Sequence, residues 1–235
     1  MVVGNSIGLS AIWVLLAITV GGSTFGILGG TGSGKSTIAK VLLRLNDIES
    51  GRILINGVNT LDLPLNCLRN QISYTPQKAY IFSGKIKDNF RFTNKNMTDE
   101  EMIKIAKIAQ SYDFIDSLPD KFDSFVAQGG INFSGGQKQR LSIARALSKD
   151  ANIYLFDDSF SALDYATDAK LRKELKTFLK DKITIIIAQR LNTIADADKI
   201  IVLKDSEITG MGTHQELLES NQEYIELAKS QGILE

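Results

Sequence analysis

Hydrophobic residues along this chain fall into two patterns. Short apolar or alternating runs predict strands at 25–28, 52–57, 72–75, 153–156, 183–187 and 199–203. Apolar positions at helical spacing predict helices at 38–43, 99–118, 135–148, 166–180 and 215–230. Strands that alternate with helices indicate an α/β fold, with a mainly parallel sheet core flanked by helices.

The middle of the chain departs from this alternation. A helical pattern starts near Asp99, continues to about Leu118 and stops at Pro119-Asp120-Lys121-Phe122. This stretch indicates a helical lobe inserted into the α/β core. We therefore expect a core of about 22–80 and 150–235, with a helical subdomain of about 81–149.

The N-terminal segment has an unusual composition. The first charged side chain is Lys35, and residues 7–20 are almost continuously apolar around Ile12-Trp13-Val14-Leu15-Leu16. This run is shorter than the roughly 20 residues that span a bilayer, and it lacks the basic flank of a signal peptide. The pattern favours a buried strand or core helix, and a membrane-associated segment is the alternative.

Composition excludes several classes of protein. Lysine plus arginine and aspartate plus glutamate both total 27, so no net charge attracts nucleic acid, and we expect no nucleic-acid partner. The single cysteine, Cys67, excludes an internal disulfide and a multi-cysteine metal site, and it fits a reducing compartment. We expect Cys67 to be a small buried hydrophobic side chain.

A glycine-rich loop follows the first predicted strand. It reads Gly29-Gly30-Thr31-Gly32-Ser33-Gly34-Lys35-Ser36-Thr37 and fits the phosphate-binding pattern G-x-x-x-x-G-K-[ST]. Glycines let backbone N–H groups surround phosphates, Lys35 would reach the β- and γ-phosphates, and the Ser36 hydroxyl would ligate Mg²⁺. A merely flexible loop would predict neither the Lys-Ser pair nor the helix after it. We expect the loop to bind ATP with Mg²⁺.

Two carboxylates follow a buried apolar run later in the chain. Asp157 and Asp158 come directly after Ile153-Tyr154-Leu155-Phe156. A strand that ends in acidic residues is common, but beside a phosphate loop it is the arrangement that holds a Mg²⁺-phosphate. We expect Asp157 to bind the metal directly or through water.

A third motif begins the helix predicted near residue 135. In Ser134-Gly135-Gly136-Gln137 the serine and glutamine have capping-box spacing, so the helix should have a fixed N-terminus. Two glycines in the first turn would let backbone N–H groups approach the phosphate of another molecule, which the helix dipole attracts. A glycine-weakened helix start does not explain the whole run.

These motifs stand in a recognisable order, which is the phosphate loop, Gln77, Ser134-Gly135-Gly136-Gln137, Asp157-Asp158 and Ser161-Ala162-Leu163-Asp164. From about Gly22 onward the chain resembles the nucleotide-binding domains of ATP-binding cassette (ABC) transporters, which are P-loop NTPases. The segments 77–84 and 212–218 resemble the exporter branch. The resemblance implies two domains arranged head to tail, each ATP lying between one domain's phosphate loop and the other's Ser-Gly-Gly-Gln segment.

The resemblance also assigns individual roles. Gln77 would sense the γ-phosphate and contribute to the metal site with Ser36 and Asp157. Asp164 would lie at the dimer seam, or serve as the N-cap of the next helix, or both. The partners implied are a second nucleotide-binding domain and the transmembrane domains of an exporter, at the cytoplasmic face of the cell membrane.

Two catalytic positions depart from the family pattern. In hydrolytically competent members a glutamate follows the magnesium aspartate, but this chain has Asp158, whose carboxylate should lie about 1 Å or more out of the general-base position. The family's switch histidine is replaced by Gln189, which can hydrogen-bond phosphate but cannot carry a proton. The pair resembles the degenerate half of a heterodimeric exporter. We therefore expect a slow site on this chain and a fast site on a different partner chain.

The segment before the phosphate loop also departs from the family. No aromatic residue stands at the adenine-stacking position, and Trp13 is more consistent with core packing. We expect residues 1–21 to be a truncated or altered start, with the transmembrane domains on other polypeptide.

Three other functions share some of these motifs, and the sequence argues against two of them. A module that clamps ATP and regulates a partner without coupling to transport fits the same motifs. An ABC-type ATPase of DNA repair or chromosome organisation would need a long coiled coil, which no sustained heptad pattern supports. A P-loop kinase would leave the Ser-Gly-Gly-Gln segment without a role.

Overall fold

The computed structural model describes residues 22–30, 32–48 and 50–234. Its strands are β1 (Thr24–Gly29), β2 (Leu54–Ile55), β3 (Val58–Asn59), β4 (Ile72–Thr75), β5 (Gly84–Lys85), β6 (Phe125–Val126), β7 (Ile153–Asp157), β8 (Ile183–Ala188), β9 (Lys199–Lys204) and β10 (Glu207–Gly212). Its α-helices are α1 (Lys35–Leu42), α2 (Leu65–Gln71), α3 (Ile86–Arg91), α4 (Asp99–Ile108), α5 (Tyr112–Asp116), α6 (Gly135–Leu147), α7 (Tyr165–Phe178), α8 (His214–Ser220) and α9 (Gln222–Ser230). The predictions for residues 1–21, including Trp13, lie outside the described residues.

The chain divides into two compact units, the first of which comprises Thr24–Arg69 and the segment from Ile187 onward. Within it β9 lies between β1 and β10. The strands β1 and β9 pair in parallel, from Phe25 opposite Lys199 to Gly29 opposite Leu203. The last four residues of β1 are buried, which explains its unbroken apolar sequence. The register holds the end of β1 at Gly29, where the glycine-rich loop begins.

The second unit comprises Asn70–Ile186. Here β7 lies between β4 and β8, and β4 pairs with β7 in parallel, from Ile72 opposite Ile153 to Thr75 opposite Phe156. All five residues of β7 are buried. Helices α3 to α7 belong to the same unit, and the fully buried Phe90, Ile115 and Leu141 contribute to its core. The subdomain boundaries near 81 and 149 stay a prediction.

The predicted strands are all present, although within the 52–57 run only Leu54–Ile55 forms a strand. β2 and β3 are antiparallel, and the residues between them, Asn56 and Gly57, both have positive φ, at 51° and 78°. This is the tight hairpin turn for which Asn-Gly is the preferred sequence. The strand β10 was not predicted. Its hairpin uses Asp205 and Ser206 at positive φ, where the sequence offers no glycine as a signal.

The predicted helix at 99–118 is wrong in one respect, because it is two helices, α4 and α5. Gln110 adopts a left-handed φ of 54°, its N–H donates to the Lys107 carbonyl, and the Ser111 N–H donates to the Ala106 carbonyl. This pair of bonds is the Schellman arrangement that ends a helix. Glycine usually holds the left-handed position, so a glutamine there gave no stop signal.

The predicted helix at 215–230 is likewise two helices, α8 and α9, separated by Asn221. The Asn221 backbone is extended, and its Oδ1 accepts the Tyr224 N–H at 2.8 Å, which caps α9. Its Nδ2 donates to the Thr209 carbonyl on β10 at 2.9 Å. One buried amide therefore begins a helix and ties it to a strand.

Asn221→Ala is expected to lower the free energy of unfolding by about 2 kcal/mol, because both hydrogen bonds of a side chain only 7% exposed are lost. Urea denaturation measures the change. The matched control is the exposed neighbour Gln222→Ala, which should change stability by no more than about 0.5 kcal/mol. Equal effects of the two variants would contradict this interpretation.

The expectation for Cys67 is wrong, because its side chain is exposed. The short helix α2 buries only Leu68, so the preceding residue faces away from the core. No α-helix among the described residues is both long and apolar enough to cross a membrane.

Candidate functional site

The glycine-rich loop connects β1 to α1 in the first unit. Gly32 and Gly34 have φ of 83° and 90°, which L side chains rarely adopt. A Cβ at Gly29 would collide with the Ser33 hydroxyl and the Leu203 carbonyl, whereas at Gly30 it would have no neighbour within 4 Å. Gly29 is therefore required by packing, and Gly30 leaves the loop surface open to a ligand. Thr31 lies outside the described residues.

Lys35 begins α1, and its side chain folds under the loop. Its Nζ donates to the carbonyls of Gly29 and Gly30, both at 2.5 Å, and only 7% of the residue is exposed. Ser36 and Thr37 follow in the first turn of the helix, where backbone N–H groups and the helix dipole favour an anion. The Lys35 ammonium and the helix N-terminus together make the loop electropositive. These features fit a phosphate ligand.

The second unit brings together three of the predicted site residues: Gln77, Asp157 and Asp158. Asp157 ends β7 and is 2% exposed, and its carboxylate accepts a hydrogen bond from the Tyr74 hydroxyl at 3.1 Å. Burial, reinforced by the negative charge of Asp157, raises the pKa of Tyr74 well above its usual value. The tyrosine therefore remains a donor to Asp157 at physiological pH. Tyr74 belongs to no sequence motif, so nothing in the sequence marked it as a site residue.

Asp158 lies at a tight turn after β7. Its backbone adopts a left-handed φ of 45°, and its carbonyl accepts a hydrogen bond from the Ser161 hydroxyl at 2.9 Å. Its carboxylate accepts a hydrogen bond from Gln77 Nε2 at 3.2 Å. The amide of Gln77 also has an oxygen, Oε1, of the type that ligates Mg²⁺. The carboxylates and the amide supply donor atoms that fit this cation.

Gln189 lies in the first unit, one residue beyond β8, and is exposed. Its main-chain carbonyl accepts a hydrogen bond from Gln231 Nε2 at 2.9 Å, and Gln231 Oε1 accepts the Leu191 N–H at 2.8 Å. Gln231 thus fixes the backbone turn that carries Gln189. Nothing in the sequence marked Gln231, because it lies 42 positions away and belongs to no pattern.

The predicted capping box at the start of α6 is confirmed. Gln137 N–H donates to Ser134 Oγ at 3.2 Å, and Ser134 N–H donates to Gln137 Oε1 at 2.9 Å. A Cβ at Gly135 would meet nothing within 4 Å, and one at Gly136 would lie 3.5 Å from the Ala162 carbonyl. The first turn of α6 is therefore held rigidly and presents an open, glycine-lined N-terminus.

Asp164 is confirmed as the N-cap of α7, since its Oδ1 accepts the Thr167 N–H at 2.9 Å. That bond lowers the pKa of the Asp164 carboxyl. The proximity of Gly136 to Ala162 shows that the 161–164 turn lies next to the start of α6. The role of Asp164 at a dimer seam stays a prediction.

Known proteins are similar to this chain in sequence and in fold. The sequence profile described as ABC transporter matches residues 19–161, which is more than half of the chain. The chain belongs to the ABC transporter family. The ABC family indicated by the order of the motifs is thereby confirmed.

Individual ABC relatives are similar over most of this chain. An ABC transporter ATP-binding protein of Bacillus subtilis, YfiB, is 45% identical over 208 residues, covering 88% of this chain and 36% of that protein. A Staphylococcus aureus protein named as a multidrug export ATP-binding/permease protein is 40% identical over 212 residues, covering 90% of this chain and 37% of that protein. The chain spans little more than a third of the length of these relatives.

A solved structure of an ABC exporter is also similar to this chain. The structure of a bacterial Atm1-family ABC exporter with ATP bound superposes with a TM-score of 0.87 at 38% identity, covering 89% of this chain and 37% of that one. The predicted P-loop NTPase fold of ABC type and the resemblance to exporters are thereby confirmed, and the chain is an ATP-binding domain of an exporter-type ABC family.

Proposed function

We propose that this chain is the MgATP-binding motor domain of an ABC exporter. ATP binding and hydrolysis at the interface of two such domains would drive export through transmembrane domains. The chain would lie at the cytoplasmic face of the cell membrane, held there by those domains. The relatives named above, one of them called an export ATP-binding/permease protein, support this assignment.

Different residues of this chain would bind the phosphates and the Mg²⁺ ion. Lys35 and the first turn of α1 would neutralise the phosphates, and Gly30 and Gly32 would let the backbone approach them. Ser36, Asp157 and Gln77 would supply oxygen ligands for Mg²⁺. The metal, when bound, would neutralise charge that develops on the phosphates.

One observation carries the proposal that this site hydrolyses ATP slowly, namely the hydrogen bond between Gln77 Nε2 and Asp158. A general base must lie within hydrogen-bond reach of the attacking water. The Asp158 carboxylate is one methylene shorter than the glutamate of hydrolytic relatives, and Gln77 occupies one of its oxygens. Gln189, in place of histidine, supplies no protonatable group.

The Ser134–Gln137 turn supports a different role for the rest of the domain. It is intact in sequence, it is fixed by its capping box, and it is open at Gly135. These features would bind the γ-phosphate of a facing domain. We therefore propose a heterodimer, in which this chain retains ATP on its own loop and completes a fast site on a different ABC chain.

Gly136→Asp is expected to lower ATP turnover of the complex by about 100-fold, because a carboxylate would face the partner's phosphate. Removing one hydrogen-bond donor to a transition state lowers kcat by a similar factor. Turnover is measured on this chain reconstituted with its partner half in vesicles. Thr177→Asp, which adds the same charge on the exposed face of α7, is the matched control and should leave turnover unchanged. Unchanged turnover in Gly136→Asp would contradict the trans role.

The slow site equally supports a second candidate, an ATP-clamping regulatory module without transport coupling. Reconstitution separates the two. The ATP turnover of a motor responds to a transported compound, whereas a clamp's turnover stays constant across a panel of such compounds.

A further inference from the structure

The start of α6 is supported by a side chain that no motif marked. Arg140 lies one turn after Gly136 on the same helix and is half-buried. Its Nε donates to the Gly136 carbonyl at 3.4 Å, and its Nη1 donates to the Gln110 carbonyl at 2.8 Å. The guanidinium therefore connects the glycine turn of α6 to the junction between α4 and α5.

The Gln110 carbonyl is a well-defined anchor. Gln110 is the left-handed residue that ends α4, and its N–H is bonded to Lys107. The two hydrogen bonds of the Schellman arrangement hold this peptide, so its carbonyl is a restrained acceptor for the arginine. A hydrogen bond from a charged donor to a fixed acceptor restrains the donor more strongly than a bond to a mobile side chain would.

Aromatic contacts support the same turn from a second direction. The Arg140 guanidinium carbon lies 5.0 Å from the centre of the Phe114 ring on α5. Phe114 packs edge-on against Phe133, with ring centres 6.3 Å apart. Phe133 immediately precedes Ser134, so this stack ends at the N-cap of α6.

The electrostatic setting connects Arg140 to the 161–164 turn. Burial lowers the pKa of Arg140, and the charges of Asp164 and Asp113 act in the opposite direction. The guanidinium remains charged, and Asp164 caps α7 within range of its field. Arg140 thus contacts or influences the turns at both Gly136 and Asp164.

We propose that Arg140 is a positioning residue, which fixes the Ser134–Gln137 turn in the orientation that receives the phosphate of a facing domain. This inference rests on the proposed trans role of that turn. Arg140 itself is not placed against nucleotide. Its loss should lower turnover at the facing site and leave ATP binding to this chain's own loop unchanged.

The first test is amide hydrogen exchange on the full chain, measured by mass spectrometry. Arg140→Met should speed exchange at 135–138 by at least about tenfold, because two hydrogen bonds from a charged donor and a cation–π contact are lost. Arg140→Lys should restore part of the protection. Arg172→Met, which removes another half-buried arginine from α7, should leave that segment unchanged.

The second test measures the variant at each of the two sites of the complex with the partner half. With Lys35→Ala in this chain, turnover reports the partner's phosphate site and this chain's α6 turn, and there Arg140→Met should lower kcat about tenfold. With Asp158→Glu and Gln189→His in this chain and alanine at the partner's phosphate-loop lysine, turnover reports this chain's own phosphate site, and there Arg140→Met should have no effect.

These results separate the inference from the function on which it rests. Equal effects at both sites, or unchanged exchange at 135–138, would overturn the positioning role. A complex that carries Lys35→Ala in this chain and shows no turnover even with Arg140 in place would count against the trans site, and the exchange result would then decide the role of Arg140 alone. If Arg140→Met does not fold, Phe114→Leu removes the ring beneath the guanidinium and should also speed exchange at 135–138.

Discussion

Replacing Lys35 by alanine is expected to weaken MgATP binding to this chain by about 100-fold or more. The Lys35 ammonium lies beneath the loop within 2.5 Å of the Gly29 and Gly30 carbonyls, in a position to meet phosphate oxygens. Removing one member of a buried, hydrogen-bonded charge pair costs several kcal/mol, and every 1.4 kcal/mol is about tenfold in affinity. Calorimetric titration with MgATP measures the loss.

The matched control for this experiment is Lys40→Ala. Lys40 lies on the same helix, in its last turn, and is exposed. Its removal subtracts the same charge without touching the loop. Because interactions of exposed charges are weak, the affinity for MgATP should change less than twofold. Equal loss in both variants would show that net charge, and not the loop geometry, controls binding.

The double change Asp158→Glu with Gln189→His is expected to raise ATP turnover at this chain's own site by about 100-fold, the scale of a general base restored to its position. The longer carboxylate would reach past the Gln77 amide toward the attacking water. The histidine would add a protonatable contact to the γ-phosphate. Steady-state phosphate release from the complex measures the gain, with the partner's own site disabled by alanine at its phosphate-loop lysine.

The single changes give the comparison that interprets this result. Each alone should raise turnover less than the pair, because two groups that act on one transition state are not additive. Gln189→Asn, which alters the same position without adding a protonatable group, should produce no gain. A double variant no faster than wild type would mean that these two positions do not limit the site.

Local patterns explain why much of the site could be predicted. The phosphate loop is one continuous segment, and Ser134 and Gln137 meet because a helix brings residues three apart together. Asp157 follows a run whose four apolar residues are all buried, so its place at the end of a strand follows from its neighbours. In each case the interacting groups lie within one element or at its end.

Long-range contacts could not be predicted in the same way. Gln77 and Asp158 are 81 positions apart, and Arg140 and Gln110 are 30 apart, so their contacts depend on how strands and helices pack. The breaks at Gln110 and Asn221 were missed for another reason. Both are polar residues within helical patterns. At Gln110 the helix ends in a left-handed conformation for which glycine is the usual sequence signal, whereas at Asn221 the backbone is extended and the side chain caps the next helix.

In the proposed heterodimer this chain retains ATP and hydrolyses it slowly, while its α6 turn completes a site on the partner chain. The decisive experiment exposes the complex briefly to labelled MgATP, chases with excess unlabelled ATP, purifies the complex through a tag on this chain and identifies the nucleotide that stays bound. We predict one retained labelled nucleotide per complex, recovered as ATP and abolished by Lys35→Ala. Recovery as ADP, or no retained nucleotide, would contradict this proposal.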